Sequence, residues 1–135
     1  MELRYLAAIA GMLVLLESAL IMAGLLAPVS SYSIGNILFL LARVLVIFYA
    51  GWSVAKSGLR VAAKNGAIVA AVAALVLFLS VFAGRLLGRP ILGMGIPSDA
   101  LSLLLIVIIN LAINVLIGTV IAVIGAFLRR SSTKS

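Results

Sequence analysis

The 135-residue sequence contains no cysteine and no histidine. Their absence excludes disulfides, thiolate nucleophiles, iron–sulfur ligation, imidazole bases and the usual zinc ligand sets. It also removes redox chemistry as a guide to compartment. Acids are nearly as scarce: Glu2, Glu17 and Asp99 stand against ten Lys and Arg. These three carboxylates fall in separate parts of the chain, so no acid–base pair can be assembled from them. No base stands where it would activate a serine or tyrosine. The chain therefore reads as non-enzymatic, with no catalytic residue, no cofactor and no metal site. The formal net charge of +7 does not point to nucleic acid, because no basic stripe is interleaved with aromatics.

Hydrophobic residues make up 66% of the chain and charged residues 10%, with a mean hydropathy of +1.42. A soluble domain is nearer half apolar and a quarter charged. A chain this short has too much surface for its volume to hide that apolar content from water, so lipid must solvate part of it. Four apolar segments, about 5–29, 34–55, 61–83 and 99–128, each reach the roughly 20 residues that a membrane helix needs. Backbone groups in lipid must bond within their own segment, which makes these helices rather than strands. The first is too long for a signal-peptide core and reads as a retained span.

The connections carry their own signals. Pro28 and the serines after it end the first helix, and Ser31 or Ser33 can cap the second. Gly58 in "KSGLR" suits a tight turn, and Ser98 or Asp99 can cap the fourth helix. Residues 84–98 form the longest loop, with four glycines and two prolines, and 129–135 read as a polar tail. Seven of the ten cations fall at the N-terminus, in the second loop and in the tail, and only Arg85 and Arg89 fall in the other loops. By the positive-inside rule, both termini are expected in the cytoplasm. The expected fold is a single all-α domain, an up-down-up-down bundle of four transmembrane helices, multi-pass in the cell membrane.

Glu17 and Arg43 are the charges inside spans. At 1.5 Å per residue, Glu17 is ~16 Å from Leu6 and Arg43 ~13 Å from Ile34, which places both near the midplane. An unpaired charge there costs about 2.5–3.5 kcal/mol on insertion scales. The pair is expected to neutralise itself and fix the register of the first two helices; the alternative is a proton or cation site. Asn110 and Asn114 lie one turn apart on the fourth helix, in line with Gly118, Ala122 and Gly125. That stripe reads as a packed face, with interhelical hydrogen bonds or a polar pathway as its use. Ala62, Gly66, Ala70 and Ala74 recur every four residues, a spacing that permits close helix contact. Arg85 and Arg89 are a candidate contact for an outer anion or lipid phosphate.

Four short helices with Glu17 inside the first resemble the small multidrug resistance exporters in layout. Arg43, the long loop before the fourth helix and the missing aromatic site setting depart from that family. The third-helix signature of the dual-topology fluoride channels is absent from 61–83, and the chain is assigned to neither family. The function expected is a small structural or accessory membrane subunit, solvated by membrane lipids and working as a homo-oligomer or within a larger membrane complex. The alternative is a small secondary transporter or channel using Glu17, Arg43, Asn110 and Asn114. Because native Cys is absent, labelling can test the orientation directly. A Cys introduced at Ser57 should react only from the cytoplasmic side and one at Ser31 only from the opposite side; labelling of both from one side refutes the four-span order.

Overall fold

The computed structural model describes residues 2–88, 91 and 99–133. Over these residues the chain is helical and contains no strand: α1 Leu3–Met22, α2 Ile34–Trp52, α3 Leu59–Leu86 and α4 Ala100–Thr133, with short 3-10 turns at Val29–Ser31 and Ala55–Ser57. All four helices are long and apolar enough to cross a membrane. The protein is accordingly a multi-pass helical membrane protein.

The helix ends follow local chemistry more closely than hydropathy does. The first apolar run extends to residue 29, yet α1 stops at Met22 because Gly24 adopts a left-handed φ of 77°. Leu25 N–H then bonds back to Leu20 O at 2.9 Å and Gly24 N–H to Ile21 O at 3.1 Å, the closing bonds of a glycine-terminated helix. α2 starts with a capping box: Asn36 N–H donates to Ser33 Oγ, and Ser33 N–H donates to Asn36 Oδ1 at 3.1 Å. It ends at Trp52, short of the expected 55, where the chain enters the 3-10 turn. Gly58 precedes α3 with a φ of 105°, open to glycine alone at little cost. Asp99 caps α4 through Ser102 N–H at 2.9 Å, and the Ser102 hydroxyl and N–H hold its carboxyl below the ordinary carboxylate pKa. The stretch expected as a polar tail is instead helical through Thr133. Arg129 secures it by donating to Trp52 O at 2.8 Å, and the Trp52 ring stacks on Phe48. Arg89, Gly93, Ser98 and Lys134 lie outside the described residues.

α3 packs against both α1 and α4, and α2 packs against all three of the others. Ala and Gly dominate the contacts. Ala62, Gly66, Ala70 and Ala74 of α3 are all buried. On α4 the packed positions are Gly118, Ala122, Gly125 and Ala126. A Cβ on Gly51 would collide with the Ala122 backbone, one on Gly66 with Gly118 and Ala122, and one on Gly125 with the Phe48 carbonyl. α2, α3 and α4 thus touch nearly backbone to backbone, where dispersion between close surfaces replaces the hydrophobic drive that lipid does not supply.

α4 uses only its second half for this contact. No residue from Ala100 to Ile117 is buried, so its first half stands away from the bundle. At the end of the bundle where α1 terminates, Ile91 is 1% exposed and plugs a cluster with Ile21 and Val81, and its carbonyl accepts from Val29 N–H at 2.9 Å.

Bulk at the close contact should be costly. Gly66→Leu and Ala70→Leu are expected to lower the unfolding temperature in mild detergent, with overpacking worth about 1–3 kcal/mol. Leu77→Ile, at a partly buried site, should leave it nearly unchanged, and equal melting for all three would show that the Gly/Ala face bears no contact.

Candidate functional site

Glu17 sits on the buried side of α1, with its side chain 2% exposed. Arg43, midway along α2, brings Nη2 to 3.8 Å from Glu17 Oε1. Asn36 Nδ2 lies 3.4 Å from Glu17 Oε2 and also donates to Ala27 O at 3.1 Å. Asn36 therefore has two duties: its Oδ1 closes the α2 capping box, and its amide N–H groups bind the end of the first loop and face the Glu17 carboxylate.

The two charges meet as the sequence leads one to expect, but at 3.8 Å, and they stand at unequal distances from the loop that joins their helices. Since α1 ends at Met22, Glu17 is only five residues, about 8 Å, from that end. Arg43 is nine residues, about 13 Å, from the start of α2. The guanidinium must reach back toward the helix ends, as long basic side chains do. At 3.8 Å it falls short of the roughly 2.7–2.9 Å of a charge-assisted hydrogen bond. Its Nε is buried and has no hydrogen-bond partner. Arg43 thus has its charge balanced without having its donors used.

Two cavities meet at this residue. One, of about 190 Å³, lies between α1, the 3-10 turn and α2, lined by Glu17, Tyr32, Asn36, Leu40 and Arg43 among others. The second, of about 80 Å³, opens where α4 leaves the bundle, between α2, α3 and α4. Arg43 and Leu40 belong to both linings.

Of the residues singled out in the sequence, Glu17 and Arg43 come together, and Asn114 lines the second cavity with Arg43. Asn110 lines neither cavity. Both asparagines are exposed rather than packed: Asn110 donates to Ile106 O at 2.8 Å and Asn114 to Asn110 O at 2.7 Å, each within its own helix. The stripe they share with Gly118 is packed only from Gly118 onward, because α4 diverges above it. Arg85 is exposed in the last turn of α3 and joins neither cavity. Asn36 escaped the sequence reading. Asn36 could have been found: it stands three residues after the Ser33 cap and seven before Arg43, which is two helical turns and so the same face.

No family model matches the chain, and no curated protein and no solved structure is similar to it. The site has to be read from its own chemistry. It holds one carboxylate, one guanidinium and carboxamides in both linings that Arg43 shares, among mostly apolar side chains.

A double-mutant cycle measures whether the two charges stabilise the fold through one another. Glu17→Gln and Arg43→Met should each destabilise the bundle, with breaking a buried pair from one side costing ~3–5 kcal/mol. Glu17→Leu combined with Arg43→Met should recover most of the loss, because apolar groups replace both charges. Additive single costs in bilayer or mild-detergent unfolding would show that the two side chains are not coupled.

Proposed function

We propose that this is a non-enzymatic integral membrane protein, a structural or accessory component that works as a homo-oligomer or inside a larger membrane complex. Its four helices cross the bilayer alternately, with both termini in the cytoplasm, a reading supported by the cation distribution along the chain. The observation that carries the proposal is the burial of Glu17. Its carboxylate is enclosed between α1 and α2 and faces Arg43 and Asn36, so the charges in these spans serve to join two helices. Asn110 adds support for assembly. It is exposed on an apolar span with only one of its amide hydrogens used, and a carboxamide facing lipid gains from a polar partner on another helix.

A second reading, a small secondary transporter or channel, is favoured by one specific observation. The two cavities share Arg43, with Glu17 and Asn36 in the lining of one and Asn114 in the lining of the other. An ionisable group inside a span that borders open space is a functional-site hypothesis by default.

Native purification followed by mass spectrometry of the intact assembly tests the first reading. A defined homo-oligomer or a fixed set of partner chains is expected, retained by the Glu17→Leu, Arg43→Met double variant. A monomer without partners would overturn it. A folded double variant that loses its assembly would move the charged pair from helix joining to function.

A further inference from the structure

We infer that the crevice between α2 and α4 binds an uncharged, lipid-soluble compound carrying a carbonyl oxygen, which accepts hydrogen bonds from Arg43 and Asn114. The inference rests on the second reading above, that the polar groups around Arg43 form a site, but it does not require transport.

Charge and hydrogen bonding point in different directions at this site, and together they define the ligand. Arg43 and Glu17 balance to zero, so a further anion would leave the enclosure with unpaired negative charge, which burial penalises. The hydrogen bonds are not balanced. Arg43 carries five N–H donors; its Nη2 stands 3.8 Å from Glu17 Oε1, and its buried Nε has no partner. Asn114 commits one amide hydrogen to Asn110 O and leaves the other free. The crevice therefore presents donors from Arg43 and Asn114, with the Arg43 charge balanced by Glu17 from outside the lining, and it is completed by a neutral acceptor. A carbonyl oxygen, with two lone pairs and no charge, meets that requirement.

The walls specify the remainder of the molecule. Ala70, Ala74 and Leu77 of α3, Leu40 of α2, and Ile117 and Ile121 of α4 offer no further polar side chain. Leu40 and Ile117 are 45% and 53% exposed, so the crevice is open along the lipid-facing surface between α2 and α4. At about 80 Å³ the enclosed part accommodates the carbonyl and a few carbons, and the rest of an apolar body would extend along the helices. Such a ligand enters from the bilayer, where it is already dissolved.

Thermal unfolding of the full chain in mild detergent tests this, using 2-undecanone, undecane and decanoate at equal mole fraction in the micelle. The ketone should raise the unfolding temperature saturably, and undecane, which lacks the oxygen, should not. Asn114→Leu changes an exposed position and should fold, yet weaken the ketone effect roughly tenfold through the lost hydrogen bond. The paired variant Glu17→Leu, Arg43→Met keeps the site neutral, removes the guanidinium donors and should weaken the ketone effect at least as much. Equal shifts from ketone and undecane, or a ketone shift that survives both variants, overturn the inference. A decanoate shift that is lost in Asn114→Leu, without one from the ketone, overturns the ligand class and leaves the polar site standing. No shift from any compound removes the polar-site reading together with the inference.

Discussion

The structure depends on the near-backbone contact of α2, α3 and α4 at Gly51, Gly66, Gly118, Ala122 and Gly125. Helices in lipid gain little from hiding apolar side chains, because lipid is as apolar as they are. They gain from approaching closely enough for many atoms to reach van der Waals distance. These glycines and alanines remove the side chains that would keep the backbones apart. The contact is confined to the second half of α4, which is then held like a rod clamped at one end. Its first half diverges with no buried residue from Ala100 to Ile117. The cavity beside Arg43 is the space that this divergence leaves.

Arg43 is placed by a different constraint. Two local signals on either side of the first loop set its relation to Glu17. Gly24 stops α1 early, and the Ser33–Asn36 box starts α2 at a fixed residue. Together they put Glu17 nearer the helix ends than Arg43, and the longer side chain spans the difference. The result is a carboxylate shut in by α1 and α2 and a guanidinium that balances it in charge while keeping donors to spare. A shorter connection, or an α1 continued through Leu25, would carry the two charges to other depths. Helix termination is thus part of the polar site's chemistry, although none of the terminating residues carries a charge.

Hydropathy and the need for internally bonded backbone in lipid were enough to find four helices in the sequence, and the four-residue spacing of small residues on α3 was enough to find its packed face. The register of Glu17 and Arg43 was legible as a neighbourhood, since any short loop between antiparallel helices brings the two together. Their separation was not legible. Apolarity continues to residue 29 while the helix stops at 22, and hydropathy is blind to the φ of Gly24. Asn110 and Asn114 were misread for a related reason. Their alignment with Gly118 is real, but sharing a stripe does not make a whole helix pack, and a straight α4 anchored at one end cannot follow its neighbours along its full length. The helical course of residues 129–133 was hidden by polar composition and is secured by one long-range bond, Arg129 to Trp52 O.

The two ends of the bundle therefore have opposite characters. Where Gly51, Gly66 and Ala122 meet, there is no space for a side chain and no buried charge. Toward the other end the helices separate, and the polar groups lie in the gaps. The walls of the crevice come from α2, α3 and α4, and α1 contributes nothing to them. Occupancy of that crevice acts on the free half of α4, the helix with least to lose by moving. The crevice borders the Glu17 cavity through Arg43 and Leu40, the two residues that both linings share. Electrostatic coupling between the crevice and the buried carboxylate runs through that guanidinium, because Arg43 is the charged side chain that lines both spaces.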